Sequence, residues 1–169
     1  MKPLSLSTLA ELAGAKMVRG SGERVAFGVS IDSRTIKPGE LFVAIRGPKH
    51  DGHDHLAGAA TRGALGAVVT REEVGSVPAG FALLLVKDTQ VALQQMARGY
   101  RRLLSVRVAS VTGSSGKSST KEMLAAVLGT LGPTHRTPGN LNNHLGVPLT
   151  LLGIGEQDRW AVVEIAMNA

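Results

Sequence analysis

Arg107-Val-Ala-Ser-Val-Thr-Gly-Ser-Ser-Gly-Lys-Ser-Ser-Thr-Lys-Glu-Met123 is an apolar run that ends in a tight glycine loop and passes directly into a helical pattern. Val106, Val108, Ala109 and Val111 are β-branched or small, which suits a strand buried on both faces. Gly113 and Gly116 permit backbone angles and close approaches that a Cβ would block. The stretch therefore predicts strand, phosphate loop, helix. Loop N–H groups turned inward, with the unpaired donors and positive dipole end of a helix starting near Lys117, favour a polyphosphate. Lys117 places a point charge at the outer phosphates, and the Ser118 hydroxyl suits Mg2+. The candidate nucleotide-binding residues are Gly113, Ser114, Ser115, Gly116, Lys117, Ser118 and Ser119. The common eight-residue pattern wants glycine where Val111 stands, so the shorter T-G-S-S-G-K-S-S rests on its strand-helix context. The competing reading is a glycine turn with an incidental lysine.

Downstream, a helix is expected over Lys117 to Leu128, with Met123, Leu124, Val127 and Leu128 as its apolar face. Thr137-Pro-Gly-Asn-Leu-Asn-Asn-His-Leu-Gly-Val-Pro148 reads as a loop. The amides of Asn140, Asn142 and Asn143 can donate and accept hydrogen bonds, although turn chemistry alone also favours asparagine and glycine. Trp160 to Ile165 is a further strand, with Glu164 inside its apolar run. A buried carboxylate is costly unless paired or bound to a cation, and an acid at a strand's end beside a phosphate loop commonly supports Mg2+. Lys117 and Glu164 are the candidate catalytic residues, and Ser118 and Glu164 the candidate metal ligands.

Upstream, Ser7-Thr-Leu-Ala-Glu-Leu-Ala-Gly14 has a capping-box pattern, Thr8 with Glu11, and closes at Gly14 as a short helix. Strands are expected at Phe27 to Asp32 and at Glu40 to Ile45, where Leu41, Val43 and Ile45 share a face. Ser30, Asp32, Ser33 and Arg34 lie at the first strand's exit, where scaffolds present binding groups, and Arg34 could fork onto phosphate or carboxylate. A side-chain-stabilised turn with a solvated arginine fits equally well. Gly47-Pro-Lys-His-Asp-Gly-His-Asp-His55 suggests a metal site, but no second ligand cluster accompanies it, and transition metals need three or four convergent ligands. Asp51, Gly52, His53 and Asp54 read better as a polar substrate loop or as a cap for the helix after His55. That helix runs to Arg62, and strands follow at Ala67 to Thr70 and Phe81 to Val86. Thr89 to Leu104 is amphipathic, and Arg98, Arg101 and Arg102 suit its negative end.

The chain has 169 residues, a net charge of +6, 43% hydrophobic but 3% aromatic residues, and no cysteine. This composition predicts an aliphatic α/β core and excludes disulfides and thiolate chemistry. Scattered basic residues with few stacking groups argue against nucleic acid. The sequence contains no span-length apolar run and no signal peptide pattern, so a cytoplasmic protein without membrane insertion is expected. The change of character near Ser105 places a boundary between domains 1–104 and 105–169. About 65 residues after it are too few for a full phosphate-loop sheet, so the second domain reads as incomplete.

Together, S-I-D-S-R-T-I-K-P-G-E-L-F-V-A-I-R-G, D-G-H-D, V-T-G-S-S-G-K-S-S-T-K-E-M, G-N-L-N-N-H-L-G-V-P-L-T-L-L and V-V-E-I-A-M-N-A resemble the Mur ligase family over nearly the whole chain. The resemblance implies a small mixed α/β UDP-sugar-binding domain, then the start of a phosphate-loop, parallel-sheet central domain that binds ATP and Mg2+. It implies that ATP phosphorylates the substrate's terminal carboxylate, and that an incoming amine attacks the acyl phosphate. The asparagine segment is similar to that of members joining D-alanyl-D-alanine to UDP-N-acetylmuramoyl-tripeptide in peptidoglycan synthesis, and a monomer is expected for this protein. Carried over by position, Gly113 to Ser119 cradle ATP, Ser118 and Glu164 serve Mg2+, and Asn140, Asn142 and Asn143 line the acceptor side. Ser30, Asp32, Ser33, Arg34 and Asp51 to Asp54 fall on the UDP-sugar side. The sequence departs from the family at His55, where an aromatic is commoner, and at Ser118 and Ser119, where threonines are usual. The family's carbamylated lysine and third domain lie outside it, so these 169 residues alone are expected not to ligate. The alternatives are a sister ligase adding a diamino acid to UDP-muramoyl-dipeptide and a non-catalytic UDP-sugar or nucleotide-binding module.

Overall fold

The computed structural model describes residues 1–167, so the last two residues of V-V-E-I-A-M-N-A lie outside the described residues. The elements in order are β1 (Leu4–Ser5), α1 (Leu6–Ala13), β2 (Lys16–Arg19), β3 (Val25–Ala26), β4 (Gly28–Ser30), β5 (Glu40–Val43), a 3-10 turn (Gly52–His55), α2 (Leu56–Thr61), β6 (Gly66–Val69) and β7 (Ala82–Leu85). They continue with α3 (Thr89–Arg102), β8 (Arg107–Val111), α4 (Lys117–Gly129), β9 (Thr134–Arg136), α5 (Gly146–Leu152) and β10 (Trp160–Glu164). The chain divides into a unit of residues 3–96 and a unit holding residues 1–2 and everything from Ala97, the division falling within α3.

The first unit is built on a sheet of order β2-β7-β6-β5-β4, in which β4 to β7 run parallel and β2 is antiparallel to β7. Alternation along β5 and β6 sends Phe42, Ala44, Ala67 and Val69 to one face, where they join Ile36, Leu56, Ala59, Phe81 and Leu83 in one core cluster. Leu41, Val43 and Val68 alternate with them and are buried as well, so the central strands are covered on both faces and read as unbroken apolar runs. Gly66 permits the close approach of β6 to β7, because a Cβ there would stand 2.6 Å from Ala82 Cβ. The cap of α1 differs from expectation. Ser5 is the N-cap, accepting from Thr8 N at 3.1 Å, and the helix starts at Leu6, which buries Leu6, Leu9, Ala10 and Ala13. Gly14 closes it in the left-handed region at φ +63°.

The second unit carries the parallel sheet β8-β10-β9. The strand buried on both faces is β10, in which Ala161, Val162, Val163 and Glu164 are inaccessible, and not β8 as its composition suggests. Among the described residues β8 pairs on one side only, and Arg107, Val108 and Ser110 are exposed. The inner face of α4 is also corrected. Met123 and Val127 are 63% and 61% exposed, whereas Lys121 and Ala125 are buried and Leu124 and Leu128 half-buried. Positions 121, 124, 125 and 128 form the stripe turned to the sheet, so the helix is rotated by about one residue from its most apolar orientation, and a lysine occupies an inward place. The end of the expected asparagine loop is helical, because α5 starts at Gly146 and takes Pro148 in its first turn, where its missing N–H costs nothing.

Candidate functional site

In the second unit the phosphate loop lies at the carboxyl end of β8, and α4 begins at Lys117 with Gly116 as its N-cap. Gly116 has φ +74° and open space around the place of a Cβ, so glycine is required there by backbone conformation alone. Lys117 Nζ donates to Gly113 O at 2.8 Å and so closes the loop across its own mouth. Ser114, Ser115, Gly116, Ser118 and Ser119 are exposed, and with Lys117, Asn142 and Glu164 they line an open cavity of about 380 Å³. A larger cleft of about 540 Å³, lined among others by Lys2, Arg107, Glu156 and Trp160, lies at the amino ends of β8 and β10. Ligands of open parallel sheets bind outside the carboxyl ends of the strands, and the helix N-terminus is at that end, so the smaller cavity is the candidate site.

The sheet register delivers Glu164 to this site, since β10 pairs with β8 so that Glu164 stands opposite Val111, the residue at which the loop departs. Its side chain is 2% exposed. The carboxylate accepts from Asn142 Nδ2 at 2.7 Å and from Ser118 Oγ at 3.1 Å, and lies 3.7 Å from Lys121 Nζ. Its backbone N–H donates to Thr137 Oγ1 at 2.8 Å. The Asn142 hydrogen bond, then that of Ser118 and the charges of Lys121 and Lys117, lower its pKa below the ordinary value against the opposing effect of burial. Three expected participants, Ser118, Asn142 and Glu164, thus converge. Asn143 is used differently: its Oδ1 accepts from Leu145 N and Gly146 N and caps α5. Asn140 is exposed, and its carbonyl accepts from Asn142 N.

Two members of this site were not anticipated from the sequence, Thr137 and Lys121. Lys121 is 3% exposed, and its ammonium donates to Thr137 O and Gly139 O, each at 3.1 Å, while Glu122 Oε1 lies 3.3 Å away. The available signal was spacing, because Lys121 follows Lys117 by one helical turn and precedes Ala125 by another.

In the first unit the remaining candidates gather at the carboxyl ends of β4 and β5. Ser30 ends β4, and its hydroxyl bonds the backbone of Asp32. Asp32 Oδ1 accepts from Arg34 N, and the Arg34 guanidinium forks onto both carboxylate oxygens at 2.9 and 2.8 Å. That bond from Arg34 holds the Asp32 pKa at about 2. Ser33 lies within the turn, and the Arg34 side chain is 83% exposed. After β5, Asp51 caps the 3-10 turn through His53 N. His53 is buried, and its Nε2 accepts from Thr70 N at 3.0 Å, so Nδ1 carries the proton that it donates to Asp51 Oδ1 at 2.6 Å. Backbone and ring hydrogen bonds from His53, with Arg71 beyond, keep the Asp51 pKa at about 2. Both His53 ring nitrogens are therefore taken up in tying this loop to the end of β6. Gly52 allows the loop to lie on β5, since a Cβ would meet Ala44 backbone at 2.8 Å. Asp54 is exposed on the same turn. Among the described residues, no group of three His, Cys, Asp or Glu side chains is placed to hold a metal ion.

A family model described as the Mur ligase family, catalytic domain, matches residues 26–101, and one for the Mur ligase middle domain matches residues 111–169. The UDP-N-acetylmuramoyl-tripeptide--D-alanyl-D-alanine ligase of Bacillus subtilis is 42% identical over 92% of this chain and 35% of its own length. Its Escherichia coli counterpart is 43% identical over 83% of this chain and 30% of its own length. Among solved structures, MurF from Acinetobacter baumannii superposes with a TM-score of 0.87 at 34% identity, covering 98% of this chain and 36% of that one. MurF ligase from Thermotoga maritima in complex with ADP has a TM-score of 0.71 at 33% identity, covering 84% of this chain and 32% of that one. A diaminopimelate ligase at 17% identity and a TM-score of 0.56 shares the fold. The chain spans about a third of the length of the relatives it matches. From the phosphate loop, the acid of β10 and two family models matched in succession, the chain belongs to the Mur ligase family.

Proposed function

We propose that this chain supplies the UDP-sugar and nucleotide sites of an ATP-dependent ligase that joins D-alanyl-D-alanine to UDP-N-acetylmuramoyl-tripeptide, a C–N bond-forming step of peptidoglycan precursor synthesis. The observation that carries the reading is the convergence of Ser118, Asn142 and Glu164 beside the phosphate loop. Residues 1–104 are assigned to the UDP-sugar side and 105–169 to the nucleotide side. The relatives at 42% and 43% identity bear the dipeptide-adding name, which favours that acceptor over a diamino acid. The reading takes the protein to act as a monomer in the cytoplasm; no helix among the described residues is long and apolar enough to cross a membrane.

The roles proposed rest on position. Loop N–H groups at 113–119 hold the phosphates at the positive end of α4, and Lys117 moves from Gly113 O to the outer phosphates. The donor set fits Mg2+, because the Ser118 hydroxyl and the ionised Glu164 carboxylate are hard oxygen ligands on one side of the loop. Mg2+ would neutralise charge growing on the transferring phosphoryl. Phosphorylation of the substrate carboxylate supplies the leaving group that the amine displaces. Asn142, fixed by Glu164, presents its free amide edge beside the reacting groups, with Asn140 on the same loop and Asn143 setting α5. Arg34, already oriented by Asp32, offers its remaining N–H groups to the UDP-sugar side, where Ser30, Ser33, Asp51, Gly52 and Asp54 face the same strand ends and His53 holds their loop.

The test is ADP release by the full-length gene product with ATP, Mg2+ and UDP-muramoyl-tripeptide. Release stimulated by D-alanyl-D-alanine and not by diamino acids is expected. Lys117→Ala should abolish it while leaving UDP-sugar binding intact. Stimulation by a diamino acid instead would favour the sister ligase, and no stimulation by any amine a non-catalytic binding module.

A further inference from the structure

Lys121 is used by no step above, yet a buried ammonium needs a reason. Of its partners, Glu122 is half exposed, while Glu164 is as buried as the lysine itself. The other two are backbone carbonyls two residues apart in the segment that leads into the asparagines, Thr137 O and Gly139 O. Thr137 in turn accepts from Glu164 N and donates its own N–H to Val162 O. The 137–142 backbone is therefore fixed at one end to β10, at its middle to α4 through Lys121, and at the other end through Asn142 Nδ2 and Ala166 N. Lys121 is the member of this set that carries a positive charge into it.

We propose that Lys121 is a positioning residue for the ligase reaction, a fixed cation on the phosphate-loop helix that clamps the asparagine loop and aims Glu164 at Ser118. This rests on the function proposed above. Because α4 also carries the loop that holds the nucleotide, the clamp makes the acceptor side and the phosphate side one rigid surface. A lysine suits this place better than a neutral donor, since it satisfies two carbonyls and offsets the carboxylate at once. Residues that orient ligands of a metal rather than touch it typically change metal affinity or activity by about 10- to 100-fold when replaced.

The experiment compares Lys121→Met with the parent in the full-length protein by three readouts. ADP binding is measured by calorimetry with and without Mg2+, amide exchange is followed over residues 137–143, and KM for the amine is compared with kcat. Metal-free ADP affinity should stay within about twofold, because the loop N–H groups and Lys117 are untouched, while the gain from Mg2+ should fall at least about tenfold. Exchange over 137–143 should quicken by a similar factor, and KM for the amine should rise more than KM for ATP. Lys121→Arg should recover most of each effect. A variant that only melts earlier, with the Mg2+ gain, exchange and KM ratio unchanged, would overturn the proposal and leave Lys121 a packing residue. If Lys121→Met does not fold, Lys121→Gln, which keeps a donor and loses the charge, must show the same loss of Mg2+ gain. If no amine stimulates turnover even in the parent, the proposed function fails, while the exchange and Mg2+ readouts still decide the role of Lys121.

Discussion

Glu164→Gln keeps the shape of the buried acid and removes its charge. In the native site one carboxylate oxygen accepts from Asn142 Nδ2 at 2.7 Å, and the other accepts from Ser118 Oγ at 3.1 Å and lies 3.7 Å from Lys121 Nζ. A glutamine has one acceptor oxygen and one donor nitrogen. Its best orientation keeps the oxygen on Asn142 and turns the NH2 to Ser118, whose hydroxyl can rotate to accept. The NH2 then also faces Lys121, which loses its buried counter-charge and keeps Thr137 O, Gly139 O and the half-exposed Glu122. Breaking one side of a fully buried pair costs about 3–5 kcal/mol. With three partners left to the lysine, about 2 kcal/mol is the figure the geometry supports. For a chain of this size that lowers Tm by about 4–8 °C, measured by calorimetry at pH 7 without nucleotide or Mg2+. Adding Lys121→Met removes the orphaned ammonium, so the double variant should lose at least about 1 kcal/mol less than the sum of the singles. A Glu164→Gln protein as stable as the parent, or more stable, would refute the reasoning. The acid would then be a strained charge kept for function at the fold's expense, rather than one its neighbours support.

Gly66→Ala sets a Cβ against Ala82 Cβ at 2.6 Å between two backbones that cannot part without breaking the β6–β7 ladder. A loss of about 2–3 kcal/mol is expected in urea unfolding, and a parent-like midpoint would show that the strands can part there. The Asp51 carboxyl, held at about 2 against an ordinary 3.8, contributes stability that is complete above pH 3.8 and is lost as pH falls toward 2. With the side chain 21% exposed, screening leaves about 1 kcal/mol of this. Asp51→Asn should therefore be the less stable protein at pH 6, with the gap closing as pH falls through about 2. A gap that stays constant with pH would remove the charge from the account.

What could be read from the sequence followed from local rules. The phosphate loop, α4, β10 and the position of Glu164 were expected because glycine spacing, helix-end chemistry and an acid in an apolar run are properties of neighbouring residues. The parallel strands β5, β6 and β7 were legible as short apolar runs for the same reason. Readings that depended on a distant partner failed. The composition of β8 suits a buried strand, but its exposure is set by having β10 alone beside it among the described residues. Met123 and Val127 made the most apolar face of α4, but the helix turns Lys121 inward because Glu164 and two loop carbonyls await it. A lysine scores as polar in any periodicity, so no helical pattern could show that it was buried. The short strands β1, β2, β3 and β9 exist by pairing and carry no periodic signal of their own.

The distribution of burial across the proposed nucleotide site indicates where binding energy would act. Glu164, Lys121 and Thr137 are buried and hydrogen-bonded to one another through Thr137, whereas Ser114, Ser115, Ser118 and Ser119 are exposed on the loop and helix end. The charged and directional part of the site is thus ordered during folding. The cost of desolvating the carboxylate is met once, by Asn142, Ser118 and Lys121, and need not be met again when a ligand arrives. The part proposed to hold phosphate is made of backbone donors and short hydroxyl side chains that lose little rotamer freedom on engagement. Lys117 is the exception, since its long side chain would give up the 2.8 Å bond to Gly113 O to reach a phosphate. That movement exchanges a neutral backbone acceptor for a charged one. The arrangement favours a ligand that brings its own negative charge, since a neutral one would break the Lys117 bond without replacing it.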